Sequence, residues 1–326
     1  RWVEIVIDSG ILPSGALQMI CGSTGDLLDH LGPQDVLAFT GSAATSLVLR
    51  ESALHRVGAA RFNVEADSLN AAIWGPDVRM DSPTGDLFLQ DVVREITQKA
   101  GQKCTAVRRI LIPSEQIGEV QEALVARLQG VVIGNPTAEG VTMGPLATAP
   151  QLADAIAGVA ELAEQAELVL GTGQRSDGVG SPEGKGYFMA PTLLRVAEAQ
   201  AAEIIHQREV FGPVSTLMPY DGSASQAAEI VGLSGGTLVT STYSDDNEWV
   251  RRLLSKAGSF TGRLYVGSAE MAGVAPGSGA AFPQILHGGP GRAGGGEELG
   301  GPIGLQLYMQ RLAVQGGASL IESLQG

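Results

Sequence analysis

The chain has 326 residues, of which 44% are hydrophobic and 17% are charged, and its formal net charge is −14 at pH 7. This length and apolar content are sufficient for two domains with buried cores. The excess of negative charge argues against nucleic acid or an anionic membrane surface as a partner, because both would repel the protein. No apolar run is long enough to cross a bilayer.

The cysteines and histidines are too scattered to form a recognisable site. Cys21 and Cys104 lie far apart, and the four histidines show no metal-ligand spacing. We therefore expect a reducing, cytoplasmic setting, which would also protect a reactive thiol from oxidation. The chain begins inside an amphipathic pattern without an N-cap or an initiating methionine, which predicts that an N-terminal portion is missing.

Helical and strand patterns alternate along most of the chain, which is typical of right-handed βαβ units in a mostly parallel sheet. In the first 66 residues, a helix at 1–9 precedes the following predicted segments: strand 16–21, helix 27–31, strand 35–40, helix 42–57 and strand 61–65. A second series predicts a second α/β domain with these segments: strands 70–74, 107–112, 167–170, 214–219, 237–241 and 263–266, a segment of unassigned type around 187–196, and helices 86–99, 117–129, 150–166, 224–231 and 245–257.

The C-terminal tail differs from the rest in composition. Residues 287–301 are too rich in glycine for a helix or a strand, which predicts a surface loop. A short regular stretch is predicted at 305–314, where it could pack on the first domain or add a strand to the sheet of a partner.

Cys104 is predicted at a junction between a helix and a β-branched run, where backbone N–H groups are unpaired and a thiol can face a cleft. A lone cysteine is more often a small buried apolar residue than a nucleophile. Lys103, Arg108 and Arg109 would favour a thiolate if they pointed towards the sulfur, although a strand would send Arg108 and Arg109 to opposite faces.

Two other residues have both an ordinary and a functional interpretation. Ser42 follows a predicted strand and begins a helix, so its hydroxyl is either an N-cap or part of a site for a pyrophosphate at the helix N-terminus. Glu65 ends a strand beside the cleft expected in an open α/β sheet. It is either a solvated carboxylate or a general base.

Four motifs occur in this order: Phe39-Thr40-Gly41-Ser42, Glu65, Gln102-Lys103-Cys104, and Glu209-Val210-Phe211-Gly212-Pro213. Their order and spacing resemble the aldehyde dehydrogenase superfamily over nearly the whole chain. Residues 62–70, 99–109 and 287–301 are more similar to a subgroup that acts on coenzyme A thioesters, the semialdehyde dehydrogenases of aerobic aromatic degradation. That subgroup includes 3,4-dehydroadipyl-CoA semialdehyde dehydrogenases of benzoyl-CoA breakdown and the aldehyde dehydrogenase domain of the bifunctional ring-opening enzyme of phenylacetate breakdown.

The resemblance implies an aldehyde dehydrogenase-like α/β fold with a Rossmann-like parallel sheet, incomplete at its N-terminal side, and a second α/β catalytic domain. Residues 1–66 would be the C-terminal part of the NAD(P)-binding domain, and 67–286 the catalytic domain. Residues 287–326 would be a glycine-rich return loop and an oligomerisation segment. The resemblance also implies a homodimer or higher homo-oligomer.

The implied reaction is NAD(P)-dependent oxidation of an aldehyde, here a CoA-linked semialdehyde, to a carboxylic acid, with NADP as the preferred cofactor or NAD in its place. No metal is implied. Residues that grip the adenosine ribose, and an asparagine that helps to hold the oxyanion, would belong to the missing N-terminal portion. The chain by itself is therefore expected to be inactive.

The resemblance also assigns a role to individual residues. Cys104 would be the nucleophile and Glu65 the base that activates water for hydrolysis of the acyl-thioester. The other assigned residues bind the cofactor, at the pyrophosphate or at the nicotinamide ribose and ring: Gly41, Ser42, Glu209 and Phe211. In the glycine-rich loop, the resemblance marks a return segment containing Glu297, Glu298 and Leu299.

Two alternatives remain open from the sequence. One is a CoA-acylating aldehyde dehydrogenase, although relatives that transfer the acyl group to coenzyme A lack the carboxylate found at Glu65. The other is a non-catalytic remnant, in which the fold serves as an oligomerisation or binding module. Product analysis distinguishes the first alternative, and the relative reactivity of Cys104 and Cys21 distinguishes the second.

Overall fold

A computed structural model describes residues 1–56, 60–282, 284–285, 288–297 and 301–324. The chain divides into two compact units, of which unit 1 comprises residues 1–38 and 47–62, and unit 2 comprises residues 39–46 and 63–326. The domain boundaries expected from the sequence remain predictions. In the described parts of the chain, no helix is both long and apolar enough to span a bilayer.

Unit 1 contains helix α1 (Trp2–Asp8) and a short 3-10 helix (Leu27–His30). Three elements belong partly to unit 1 and partly to unit 2: strand β1 (Val36–Thr40), helix α2 (Ala43–Arg56) and strand β2 (Arg61–Glu65). The end of the helix predicted at 42–57, Val57, lies outside the described residues.

The predicted strand at 16–21 is wrong, because this segment has no regular structure. Its apolar side chains Met19 and Ile20 are 65% and 66% exposed. No described strand pairs with the segment, and an isolated strand would leave its backbone N–H and C=O groups without partners.

The described strands of unit 2 are β3 (Ala71–Trp74), β4 (Arg109–Pro113), β5 (Glu167–Leu170), β6 (Arg175–Ser176), β7 (Phe188–Met189), β8 (Thr192–Arg195), β9 (Val214–Tyr220), β10 (Thr237–Tyr243) and β11 (Thr261–Gly267). Strands β6 and β7 form a separate pair, and the other seven form one sheet in the order β11-β10-β3-β4-β9-β8-β5. All neighbouring strands of this sheet are parallel except β5, which runs antiparallel to β8.

The longer helices of unit 2 are α3 (Pro83–Thr97), α4 (Ile117–Gln129), α5 (Ala149–Leu162), α6 (Ala224–Gly232) and α7 (Asn247–Ala257), and the tail adds α8 (Gly301–Gly304) and α9 (Ala318–Ser323). The predicted order of helices and strands from residue 70 to residue 267 is therefore confirmed, with shifted ends. The regular stretch predicted at 305–314 is wrong beyond a 3-10 helix at Leu305–Tyr308, because residues 309–314 have no regular structure.

The sheet has an apolar layer on each face. Along β3 and β4, alternate side chains belong to different clusters, because successive residues of a strand point to opposite faces. Ile73 and Leu111 pack in the cluster that includes α5, α6 and α7, whereas Trp74 and Ile110 pack in the cluster that includes α3 and α4. Both faces are covered, which explains why these strands are continuously hydrophobic rather than alternating.

Arg109, the first residue of β4, is fully buried, and no carboxylate of the described residues pairs with it. Its guanidinium donates to the carbonyl oxygens of Leu69 at 2.9 Å, of Ile230 at 2.8 Å and of Val231 at 3.2 Å, and its Nη1 lies 3.1 Å from Nδ1 of His206. Two of these carbonyls belong to the C-terminal turn of α6, where a cation is favoured by the helix dipole. Burial and the charge of Arg292 lower the pKa of Arg109 to about 9, so it stays charged at neutral pH.

His206 is held as a neutral ring by this arrangement. Its Nδ1 accepts from Arg109, and its Nε2 lies 2.7 Å from the carbonyl oxygen of Ala199, to which it donates. Burial, and then the charge of Arg109, lower the pKa of His206 to about 4. The protein therefore stabilises the uncharged form of this side chain.

The pH dependence of stability tests this assignment. Because the pKa of His206 is lower in the folded state than in the unfolded state, its contribution is present above about pH 6.5 and is lost as the pH falls towards 4. We expect a loss of up to about 3 kcal/mol over this interval, measured by urea unfolding. His206→Gln should flatten this part of the curve, whereas His30→Gln, at an exposed position, should not. Equal slopes for His206→Gln and the unsubstituted protein would contradict the assignment.

Candidate active site

Unit 2 contains a cavity of about 490 Å³, a size typical of small-molecule sites. Residues from the ends of β1 and β2 meet residues from the segments that precede β4 and β9 in its lining. The structure places in this lining all six site residues predicted from the sequence, namely Gly41, Ser42, Glu65, Cys104, Glu209 and Phe211. Their individual roles remain predictions.

The chain reaches Cys104 through α3 and a left-handed turn. The helix begins at Pro83, earlier than predicted, because the Ser82 hydroxyl caps it by accepting from the N–H of Gly85 at 3.0 Å. After the helix, Lys99, Ala100 and Gly101 have φ values of 55°, 53° and 69°.

Gly101 is required by the packing at this turn. A Cβ at this position would lie 2.1 Å from the carbonyl oxygen of Gly212, which precedes β9. The turn that leads to Cys104 is therefore pressed against the segment that contains Glu209 and Phe211.

Lys99 allows a test of the strain in this turn. Its side chain is exposed, but its backbone is left-handed, a conformation that asparagine adopts more readily than lysine. We expect Lys99→Asn to raise the free energy of unfolding by about 1 kcal/mol in a denaturant titration. Lys99→Ala keeps a Cβ without the side-chain advantage of asparagine, and it should give no such gain. A destabilised Lys99→Asn variant would show that the turn is not strained at this position.

Asn70, which precedes β3, holds the backbone on both sides of Thr105. Its Nδ2 donates to the carbonyl oxygens of Cys104 at 2.7 Å and Ala106 at 2.9 Å. Its Oδ1 accepts from the hydroxyl of Ser68 at 2.6 Å and from the N–H of Val239 at 2.9 Å. Sequence reasoning missed this role, although a polar residue at the start of an apolar strand was the available indication.

The three cations near Cys104 in sequence have different partners. Lys103 points to α3, where its Nζ lies 2.6 Å from Oε2 of Glu95 and donates to Oε1 of Gln98 at 2.8 Å. Arg109 binds the end of α6, as described above. Arg108 is buried next to Glu209, with 3.3 Å between its Nε and Oε1 of the carboxylate. Both arginines are thus buried, with distinct environments.

Glu209 is buried and held at both carboxylate oxygens. Its Oε2 accepts from the N–H of Ser68 at 3.2 Å, while its Oε1 accepts from Arg108. Burial raises the pKa of Glu209, the charge of Arg108 opposes this rise, and the nearby carboxylate of Asp67 adds to it. Two donors thus hold both oxygens of this carboxyl group beside the cavity.

Backbone N–H groups at and just before the N-terminus of α2 already have hydrogen-bond partners within the protein. The N–H of Gly41 donates to the carbonyl oxygen of Glu65 at 3.1 Å, and the hydroxyl of Ser42 accepts from the N–H of Thr45 at 3.1 Å, as an N-cap does. Asp67 accepts from the N–H of Ala43.

Asp67 was not identified from the sequence as a site residue. It lines the same cavity as Ser42, and its Oδ2 also accepts from Nη2 of Arg292 at 3.1 Å. A carboxylate therefore lies at the helix N-terminus, where an anionic group of a ligand would otherwise be favoured.

The described part of the glycine-rich segment, residues 288–297, is a partly exposed loop with one short 3-10 turn, and it also packs on β2. The N–H of Gly296 donates to the carbonyl oxygen of Val64 at 3.1 Å, and the carbonyl oxygen of Ala293 accepts from the N–H of Ala66 at 2.9 Å. A Cβ on Gly296 would lie 2.3 Å from the Val64 oxygen, so glycine permits this close approach beside Glu65.

Of the loop residues noted from the sequence, Glu297 binds Asn63 through its backbone at 2.8 and 3.0 Å. His287, Glu298 and Leu299 lie outside the described residues. Within the described residues, no group of three or more histidine, cysteine or acidic side chains is arranged to bind a metal ion.

The sequence profile of the Aldehyde dehydrogenase family matches residues 2–314. The chain belongs to the aldehyde dehydrogenase family. This finding confirms the family expected from the four motifs.

Sequence relatives include two bacterial members of known name. The chain is 40% identical over 290 residues to the 3,4-dehydroadipyl-CoA semialdehyde dehydrogenase of Aromatoleum evansii, which corresponds to 89% of this chain and 56% of that protein. It is 36% identical over 183 residues to Protein MaoC of Klebsiella aerogenes, covering 56% of this chain and 52% of that protein. The chain thus spans about half the length of these relatives.

Solved structures confirm the predicted fold class. Betaine aldehyde dehydrogenase of Staphylococcus aureus in complex with NAD+ matches with a TM-score of 0.80 at 24% identity, over 94% of this chain and 57% of that chain. A 3,6-anhydro-L-galactose dehydrogenase matches with a TM-score of 0.79 at 21% identity, over 95% of this chain and 60% of that chain. Aldehyde dehydrogenases of low sequence identity therefore share this fold.

Proposed function

We propose that this protein oxidises an aldehyde to a carboxylic acid with NAD(P) as the hydride acceptor. The observation that supports this most strongly is the lining of one cavity by Cys104, Glu65, Glu209 and Phe211 together. A thiol and a carboxylate can perform the two covalent steps, while a second, anchored carboxylate and an aromatic ring suit a nicotinamide nucleoside.

In the first step, the thiolate of Cys104 adds to the aldehyde carbon and forms a thiohemiacetal. Bound NAD(P) would take the hydride that this carbon releases, which leaves an acyl-thioester on Cys104. Glu65 then removes a proton from water, which attacks the acyl carbon and displaces the thiolate. Overall, aldehyde, water and NAD(P)+ give carboxylic acid, NAD(P)H and a proton.

The described residues fit the nicotinamide end of the cofactor. Glu209 has both oxygens fixed by protein donors and retains lone pairs for ribose hydroxyls, and Phe211 offers a ring at the same cavity. Gly41 and Ser42 are proposed to lie near the pyrophosphate. The preference for NADP over NAD follows only from the family resemblance of the sequence.

A CoA-linked semialdehyde is the proposed substrate. Its support is the 40% identity to a relative named 3,4-dehydroadipyl-CoA semialdehyde dehydrogenase, together with the motifs of the corresponding subgroup. Aromatic degradation by the benzoyl-CoA or phenylacetate route is the proposed context. We further propose a cytoplasmic location, since a catalytic thiol needs a reducing compartment. The homodimer or higher homo-oligomer is proposed from the family resemblance of the sequence.

Substitution of the two catalytic candidates tests the reaction. In the full-length product of the reading frame that contains this chain, Cys104→Ala should abolish cofactor reduction on a CoA-linked semialdehyde, because no thiohemiacetal can form. Glu65→Gln should release about one equivalent of reduced cofactor per site and then stall, because the acyl-thioester is not hydrolysed. Absorbance of the reduced cofactor in a stopped-flow instrument measures both effects.

The exposed Cys21 supplies the control, since Cys21→Ala should turn over normally. Wild-type rates in both Cys104→Ala and Glu65→Gln would refute the assignment. Acyl-CoA at the aldehyde end, in place of free acid, would indicate the CoA-acylating alternative. Equal alkylation rates at Cys104 and Cys21 would indicate a non-catalytic remnant.

The position of Asp67 leads to the prediction that removal of its charge strengthens cofactor binding. If the cofactor diphosphate binds at the N-terminus of α2, it must replace the Asp67 carboxylate at the N–H of Ala43. Asp67→Asn should therefore lower the dissociation constant of the cofactor about fivefold, by removing a competing charge. Asp67→Glu keeps the charge and should not give this gain. Isothermal titration measures the effect, and weaker binding by Asp67→Asn would place the diphosphate elsewhere.

A further inference from the structure

Arg108 connects the two segments that bring the nucleophile and the cofactor carboxylate into the cavity. It lies immediately before β4, and 4% of its surface is exposed. Its Nη2 donates to the carbonyl oxygen of Gly101 at 2.9 Å, in the left-handed turn before Cys104. Its Nη1 donates to the carbonyl oxygen of Gly212 at 2.7 Å, just beyond Glu209 and Phe211.

The Arg108 side chain also contacts Glu209 and Phe211 themselves, in the stretch 209–212 that is called the cofactor segment below. Its Nε donates to Oε1 of Glu209 at 3.3 Å, and the centre of its guanidinium lies 5.6 Å from the centroid of the Phe211 ring. One planar cation thus binds a backbone oxygen on each segment and a carboxylate on one of them. A lysine in its place has a single nitrogen and cannot reproduce this fork.

We propose that Arg108 is a positioning residue for the reaction, which holds the turn that precedes Cys104 and the carboxylate of Glu209 in one arrangement. The inference rests on the proposed function for the roles of Cys104 and Glu209. It goes beyond that function in making the geometry of both depend on a single side chain that does not itself line the cavity.

Besides its hydrogen bonds, Arg108 has an electrostatic interaction with Cys104. Burial lowers the pKa of Arg108, and this is opposed first by Glu209 and then, more weakly, by the negative charges of Cys104 and Glu95. A buried cation with an electrostatic interaction with Cys104 favours the thiolate over the thiol. Lys103 is paired with Glu95, and Arg109 with the end of α6, so neither occupies the corresponding place.

The pH profile of Cys104 alkylation tests the proposal without requiring turnover. The charged groups to consider are Glu209, Glu95 and Lys103, together with the others that line the cavity, namely Glu65, Asp67, Asp154 and Arg208. Iodoacetamide labelling of the Cys104 peptide is followed by mass spectrometry in the full-length protein. Arg108→Met should move the midpoint upwards by about one pH unit, because the thiolate loses a nearby cation. Glu209→Gln should move it downwards, because the cation loses its counter-charge.

The control is the double variant Glu95→Gln with Lys103→Gln, which removes the neighbouring ion pair as a unit. It should shift the midpoint less than either single variant. A structural role alone would not give opposite shifts from the two ends of one ion pair. Shifts of the same sign, or no shift in either variant, would overturn the proposal.

Cofactor affinity supplies a second measurement. Arg108→Met should raise the dissociation constant about tenfold, since Glu209 loses a charged partner that orients it. Arg108→Lys should restore part of the loss and is the variant to measure if Arg108→Met does not fold. Adding Arg108→Met to Glu209→Gln should then cost little further affinity. Unchanged affinity in the folded Arg108 variants, or fully additive losses in the double variant, would refute the link.

These outcomes are distinct from failure of the proposed function. Alkylation and cofactor binding are measured without an aldehyde, so they remain informative if the substrate class is wrong. Opposite midpoint shifts without aldehyde oxidation would support Arg108 and reject the reaction. Normal oxidation by Cys104 with unshifted midpoints would support the reaction and reject Arg108.

Discussion

The hydrogen bonds of Asn70 hold the backbone on both sides of Thr105, next to Cys104. A buried amide side chain has two donors and an acceptor, and here both donors bind carbonyl groups of the nucleophile segment. The acceptor binds the hydroxyl of Ser68 and the N–H of Val239 in β10. Because these polar groups are buried, each would be costly to leave unpaired, so the amide selects one conformation of the segment.

A second constraint is the separation of the cations. The sequence places Lys103, Arg108 and Arg109 within seven residues, yet the fold directs each one to a different partner. Lys103 binds a carboxylate on α3, Arg109 binds the end of α6, and Arg108 joins the nucleophile turn to the cofactor segment. Each pairing compensates the cost of burying a charge, and each ties a different element to the start of β4.

The glycines at this site have a mechanical role. Gly101 lets the turn before Cys104 lie against Gly212, and Gly296 lets the glycine-rich segment lie against the strand that ends at Glu65. In both places the neighbour is a backbone oxygen, which cannot move aside as a flexible side chain could. Composition predicted a surface loop for the second segment but not its packing on β2, because glycine permits close packing as readily as it permits flexibility.

The sequence by itself determined the family, the alternation of helices and strands in unit 2, and six of the residues that line the cavity. These follow from local periodicity and from motifs whose order along the chain is independent of contacts. It failed at 16–21 and 309–314, which lie in no regular element of the structure.

Only the tertiary structure decided the partners of Arg108 and Arg109, the placement of Asp67 at α2 and the packing of residues 291–297 on β2. Apart from the hydrogen bond between Arg108 and Gly101, each depends on contacts between residues more than twenty positions apart, and no local pattern encodes such contacts. Burial then determines the chemistry of these groups, because it removes water as the alternative partner and makes each pairing obligatory.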